Sequence, residues 1–138
     1  MYDKLLVAVD HSDAAERVIN AAREMASLSD GEVWLVHVRE KEVMPRGGVY
    51  ATETEEEALS AVERAALELN NAGIKTHYEV RDTIYGYAAR EIVAAAHAHD
   101  VGLIVMGSRG RSDLVGLVLG STAHKVIHLS DRPVLVVR

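Results

Sequence analysis

The segment VGLIVMGSRGRSDLVGLVLGSTAHKVIHL, residues 101–129, joins an apolar run to a stretch rich in glycine and hydroxyl side chains, and then to a helical pattern. The run VGLIVM (101–106) does not alternate polar with apolar residues, which is typical of a strand covered on both faces in a parallel sheet. The residues after Gly120 have the spacing of a helix that continues to Leu129. A strand that leads through glycines into a helix predicts an α/β fold.

Outward from this segment, four further apolar runs have the length of strands: KLLVAV (4–9), EVWLVHV (32–38), KTHYEV (75–80) and PVLVV (133–137). The run 75–80 alternates, which favours an edge strand. Helical patterns occupy 13–28, 54–72 and 86–99 between the runs. This order predicts one domain with a doubly wound, five-stranded parallel sheet, helices on both faces and a ligand site beyond the carboxyl ends of the strands.

Two of the helices carry signals for their first turn. Asp13 and Glu16 have the spacing of a cap pair, and Thr54 with Glu57 has that of a capping box. In the second helix one apolar stripe is predicted to face the core, formed by Leu59, Val62, Ala66 and Leu69.

One connection is unusually long. Residues 39–52, REKEVMPRGGVYAT, have no periodicity and contain Pro45, Gly47 and Gly48. Loops of this length are often either functional or disordered. Two interpretations therefore stay open: a mobile flap near the strand ends, or a disordered surface loop without a function.

Composition limits the classes of function. The 138 residues are 49% hydrophobic and contain no cysteine, so we expect one ordinary domain in a reducing cytoplasm, with no thiolate metal site. The first ten residues do not form a leader pattern, and the uncharged stretches are too short for a membrane span. A net charge of −6 argues against a nucleic-acid partner. An anionic ligand must therefore be held by local geometry.

The glycine stretch has the features of such a local anion site. Gly107 ends the fourth strand, Gly110 follows, and Gly120 precedes the helix, where free N–H groups and hydroxyls attract phosphate. Arg109 and Arg111 supply positive charge, with Lys125 as a weaker candidate. The stretch is neither a Walker A loop nor a dinucleotide fingerprint, because the lysine and glycine positions that those motifs need are missing.

The spacing Gly107-x2-Gly110-x9-Gly120-Ser121 resembles the G-x2-G-x9-G-(S/T) pattern of the ATP-binding branch of the universal stress proteins. LLVAVDHSDAA, LIVMGSRG and DRPVLVV are similar to that family's first, fourth and fifth strands, so the resemblance spans essentially the whole chain. It implies the strand order 3-2-1-4-5, a homodimer paired through residues 133–137, and ATP bound across the strand ends. We expect Mg²⁺ or Mn²⁺ to bridge the phosphates.

The resemblance also assigns positions. Asp10 is implied to contact the ribose, with Ala8 and Val9 beside it, and the backbone of Val38 to read the adenine edge. The other implied nucleotide-binding positions are Met106, Gly107, Arg109, Gly110, Gly120, Ser121 and Thr122. His11 stands where the family commonly has a smaller residue.

We expect an ATP-binding regulatory or stress-response module, with slow ATP hydrolysis or phosphotransfer at the same site as the alternative. No nucleophile and base pair can be singled out from the sequence, so fast catalysis is not indicated. A receiver-like phosphorylation domain is disfavoured, because it needs an aspartate ending the third strand and a lysine ending the fifth, whereas those runs continue as EVRD and VVR.

Overall fold

A computed structural model describes residues 2–108 and 119–138. Within these ranges the chain forms ten elements: β1 (Lys4–Ala8), α1 (Ala15–Ser29), β2 (Glu32–Val43), β3 (Val49–Ala51), α2 (Glu55–Asn71), β4 (Thr76–Ile84), α3 (Ala88–Ala98), β5 (Leu103–Gly107), α4 (Ser121–Leu129) and β6 (Val134–Val137). No helix within these ranges combines the length and apolar character needed to cross a bilayer.

Five parallel strands form the body of the sheet, in the order β4-β2-β1-β5-β6. This order is the predicted 3-2-1-4-5 when the strands are counted without β3, so the predicted topology is confirmed. β4 pairs only with β2 among the described strands, as expected for an edge. Parallel strands direct their carboxyl ends toward one edge of the sheet, which is where the functional residues were predicted.

The sheet carries a separate apolar core on each face. One core packs α1 and α2 against residues such as Leu5, Val7 and Leu35. The other packs α3 and α4 against residues such as Leu6 and Ile104. Alternate β1 side chains point to opposite faces, so this strand is buried from both sides, as its non-alternating sequence predicts.

Residues 39–52 differ from the prediction because they form a regular hairpin instead of a connection without secondary structure. Residues 39–43 continue β2, and the chain then turns and returns as β3, pairing Lys41 with Ala51 and Val43 with Val49 in antiparallel register. Gly47 and Gly48 adopt φ values of 83° and 107° in this turn, a region that disfavours side chains. In the part of the chain that the structure describes, the sheet therefore has six strands rather than the predicted five.

Of the helix caps predicted for α1 and α2, one is confirmed and one is wrong. The capping box of α2 is confirmed, because Thr54 Oγ1 accepts from the Glu57 N–H at 3.1 Å and the Glu57 carboxylate accepts from the Thr54 N–H. The Asp13–Glu16 pair is wrong, because α1 has Ala14 at its cap and no side-chain cap bond. The stripe of α2 is also shifted: Leu59 is exposed and Ala58 is buried in its place.

The α2 capping box yields a stability prediction. Thr54→Ala leaves the Glu57 N–H without its acceptor and should lower the free energy of unfolding by about 1 kcal/mol. Thr54→Ser, which keeps the hydroxyl, should stay close to the wild type in urea unfolding monitored by circular dichroism. Equal losses in the two variants would contradict the capping role.

Candidate functional site

A cavity of about 400 Å³ lies at the carboxyl ends of β1, β2 and β5 and at the start of α4. Every described residue among the predicted nucleotide-binding positions lines it: Ala8, Val9, Asp10, Val38, Met106, Gly107, Gly120, Ser121 and Thr122. The predicted positions Arg109 and Gly110 lie outside the described residues. The fold thus brings residues from three distant parts of the chain to one cavity.

The cavity lies beside the part of β2 that extends beyond the end of β1. β1 stays beside β2 only as far as the bond from Val9 N–H to Val36 O, and β3 joins the same edge of β2 from Lys41 onward. Backbone direction alternates along a strand, so Val38 N–H and C=O point to the same side as those of Val36, into the gap between β1 and β3. This backbone position can therefore pair with a ligand.

Asp10 is held in a fixed orientation just after β1. Its Oδ1 accepts from the Ser12 N–H at 2.9 Å and from the Ser12 hydroxyl at 2.5 Å. These bonds close a turn before α1, so Asp10 does not cap that helix directly. Its second carboxylate oxygen makes no hydrogen bond with a described residue and can accept from a bound hydroxyl group.

The two ends of the glycine stretch meet at the cavity. Gly120 N–H donates to Ser108 O at 2.5 Å, which places Gly107 beside the start of α4. Gly120 caps α4 without a side-chain hydrogen bond, and the first turn holds no acidic residue. The opening N–H groups of α4 and the hydroxyls of Ser121 and Thr122 are thus suited to an anion. Lys125 does not line the cavity; its ammonium group lies 3.4 Å from Gly86 O on the surface.

Sequence reasoning missed a cluster of three side chains, His11, His37 and Glu53, in the cavity wall. One Glu53 oxygen bonds to His11 Nε2, and the other lies 2.5 Å from His37 Nε2. The opposite nitrogen of His37, Nδ1, bonds to Val9 O at 2.7 Å. A histidine inside the buried run EVWLVHV was the available signal for His37, whereas Glu53 had no local signal because the β2–β3 hairpin brings it back to β2.

The two histidines keep Glu53 ionised. Burial alone would raise the pKa of this carboxyl group, but hydrogen bonds and charge interactions from His37 and His11 outweigh burial and lower the pKa below its usual value. Asp10, Glu40 and Glu42 also line the cavity, and His11 and His37 are the sole ionisable bases among the described lining residues. A bound polyanion therefore needs additional positive charge.

The fold and this cavity define the class of the protein: a Rossmann-like α/β domain with a ligand site at the carboxyl ends of its parallel strands. The chain belongs to the universal stress protein family, whose family model matches residues 1–138. Universal stress protein YxiE of Bacillus subtilis is 36% identical, with 100% of both chains covered.

Solved structures agree with this assignment. The structure of MJ0577, a universal stress protein of Methanocaldococcus jannaschii, is 31% identical, covers 99% of this chain and 96% of its own, and superposes with a TM-score of 0.80. A universal stress protein from Archaeoglobus fulgidus was solved in complex with dAMP; it is 27% identical, covers 99% of this chain and 98% of its own, and has a TM-score of 0.69. Another, 25% identical over 99% of this chain and 97% of its own with a TM-score of 0.67, was solved with cAMP.

The Glu53 cluster generates a pH-dependent stability prediction. Glu53→Gln removes the charged acceptor of two histidines and should cost about 1.5–3 kcal/mol at neutral pH. Because folding lowers the pKa of Glu53, its contribution is complete above the unfolded value of about 4.3 and disappears as the pH falls through the folded value.

The measurement is the free energy of urea unfolding from pH 7 down to pH 3, for the wild type and Glu53→Gln. Glu56→Gln, an exposed carboxyl in the first turn of α2, is the matched control. The gap between the wild type and Glu53→Gln should narrow with acidification. A gap that is absent at pH 7, or constant over the whole range, would rule out the charged cluster.

Proposed function

We propose that this protein is a nucleotide-responsive regulatory module of the ATP-binding branch of its family, and that ATP occupies the cavity at the strand ends. One observation carries the proposal: the hydrogen bond from Gly120 N–H to Ser108 O joins the two ends of the G-x2-G-x9-G-S pattern at the cavity wall. The nucleotide complexes of the two relatives support adenine nucleotides as the ligand class.

In this proposal each part of the nucleotide meets a matching group. The outward N–H and C=O of Val38 pair with the adenine edge, and Ala8, Val9 and Met106 supply apolar contacts for the base and sugar. The second Asp10 oxygen accepts from a ribose hydroxyl. A ribose contact uses hydroxyl donors, which an ionised carboxylate is suited to accept.

The phosphates are assigned to the start of α4 and the glycine stretch. Gly107, Gly120, Ser121 and Thr122 offer backbone N–H groups and hydroxyls, and Arg109 and Gly110 complete the set by sequence position. The acidic lining favours a cation with the nucleotide. Mg²⁺ or Mn²⁺ suits this place, because hard cations prefer oxygen ligands and are often held by phosphates, water and few protein groups.

Binding is proposed ahead of turnover. Among residues 2–108 and 119–138, none of the cavity hydroxyls of Ser108, Ser121 and Thr122 is hydrogen-bonded to a histidine or a carboxylate that would act as a base. Such a site holds ATP for long periods. Its occupancy then reports on the availability of ATP. A triphosphate that stays intact on the protein for hours fits this role, whereas steady phosphate release that Ser121→Ala abolishes would favour the slow hydrolase.

The binding experiment measures thermal unfolding with ATP and Mg²⁺, together with the identity of any nucleotide extracted from the purified protein. A ligand at a hundred times its dissociation constant stabilises the fold by about 2.7 kcal/mol, which raises Tm by several degrees. Asp10→Ala should weaken ATP binding about 10-fold or more, since a hydrogen bond to a charged group contributes about 1.5–3 kcal/mol. Asp13→Ala, an exposed neighbour outside the cavity, is the matched control.

A second arm separates ATP from smaller nucleotides. The double change Ser121→Ala and Thr122→Ala should weaken ATP more than AMP, because it removes hydroxyls assigned to the phosphates. If neither ATP nor AMP raises Tm at millimolar concentration, the proposed function fails. An equal loss of affinity for ATP and for AMP in the double variant would contradict the assignment of these hydroxyls to the phosphates.

We also propose that two copies pair through β6. β6 hydrogen-bonds to β5 through carbonyls such as those of Pro133 and Val137, which accept from Ile104 and Ser108. Alternation along the strand directs the N–H and C=O groups of Val134 and Val136 away from β5. An apolar edge with no strand partner among the described residues invites pairing with a second copy across a two-fold axis.

Light scattering at micromolar concentration should return twice the 15.0 kDa of one chain. Val136→Pro removes an outward N–H without removing a bond to β5, so it should shift the protein toward the monomer. Val136→Ala keeps that N–H and should remain dimeric. A wild-type mass of one chain, or a dimer that Val136→Pro leaves intact, would exclude this interface.

A further inference from the structure

We propose that His11, His37 and Glu53 form a binding site for a divalent transition-metal ion of the Zn²⁺ type, with an open coordination position toward the cavity. Their ligand atoms lie within 4.8 Å of one another, and it is the one such group in the described part of the chain. Two imidazoles and a carboxylate are a recognised ligand set for catalytic zinc and for iron.

The hydrogen bonds of His37 define which of its nitrogens is free. A carbonyl oxygen only accepts, so the contact from His37 Nδ1 to Val9 O places a proton on Nδ1. In the neutral ring the lone pair is then on Nε2, which faces a Glu53 oxygen 2.5 Å away. Two acceptors at this distance need a positive centre between them, either a proton or a metal ion.

The same bond has the form of a metal-supporting contact. Histidine ligands usually donate their second N–H to a carbonyl or a carboxylate, which fixes the ring and increases its basicity. Val9 O provides this support and is itself fixed, because the Val9 N–H is bonded to Val36 O. The Nε2 lone pair of His37 is thus oriented before an ion arrives.

The dimensions of the cluster are suitable. Ligand atoms about 2.0–2.1 Å from a tetrahedral ion lie roughly 3.3 Å apart, a spacing that fits within the group. His37 and Glu53 are almost fully buried, whereas the His11 side chain is 29% exposed and can turn to admit the ion. All three residues line the cavity, so the remaining coordination position faces a water molecule or an anionic ligand there.

The donor atoms distinguish this site from the Mg²⁺ or Mn²⁺ proposed with ATP. Imidazole nitrogen favours zinc, cobalt, nickel, copper and iron, whereas magnesium prefers oxygen throughout. The ligands also come from three places in the fold: the turn after β1, the middle of β2, and the connection from β3 to α2. An ion bound here would fix the β2–β3 hairpin to the sheet even when no nucleotide is bound.

The test is Zn²⁺ titration by calorimetry on the full chain without nucleotide, together with the visible d–d absorption of added Co²⁺. His124 and His128 are spaced as i and i+4 on α4, so both are changed to alanine in every sample to remove a competing surface pair. We expect one ion per chain and a Co²⁺ spectrum of low coordination number. His11→Ala and Glu53→Gln should each weaken Zn²⁺ binding about 10–100-fold or more.

His97→Ala is the matched control, since His97 is an exposed histidine away from the cavity. Two ligand variants are used so that a folding defect in one, checked by circular dichroism, does not decide the result. Absence of stoichiometric Zn²⁺ binding, or binding that His11→Ala and Glu53→Gln leave within about twofold of the control, would overturn the metal site. The cluster would then be a hydrogen-bonded contact only, and the nucleotide proposal would be unaffected.

Discussion

The unequal length of neighbouring parallel strands is the constraint on which the site depends. β1 ends while β2 continues, so the backbone of Val38 loses its strand partner on one side before β3 takes up the edge. A buried N–H or C=O without a partner is costly, and such a gap must be filled by water or a ligand. The opening between β1 and β3 therefore gives the cavity lining a polar backbone position that has no strand partner among the described residues.

The cavity combines an acidic lining with a helix start that suits an anion. Its described acids outnumber its bases, yet the start of α4 has the donors that suit an anion. The conflict disappears if cations accompany the ligand, either the arginines of the glycine stretch or metal ions. Glu53 is the sharpest case, because its buried carboxylate is compensated by His37 and His11 rather than by a lysine or arginine among the described residues.

Sequence patterns predict what local physics determines. Apolar runs and their order predicted the parallel sheet, the Thr54 capping box was correct, and glycine spacing indicated residues that do reach the cavity. The hairpin was missed because its paired segments are only three residues long, too short for a periodicity, and their pairing is a tertiary effect. The Asp13 cap was wrong because Asp10 and Ser12 form their own turn first. The contact of Glu53 with His37 joins residues far apart in sequence, which no periodicity can indicate.

The β2–β3 hairpin links the two proposed ligands physically. It closes the gap beside Val38, where the adenine is proposed to lie, and it carries Glu53 to His37. His37 in turn is bonded to Val9, the residue before Asp10. If one ligand binds more tightly to one position of this hairpin than to another, it therefore alters the binding free energy of the second ligand. The effect must be reciprocal. The two proposed ligands would be coupled without a moving domain, because one short hairpin lies beside both proposed positions.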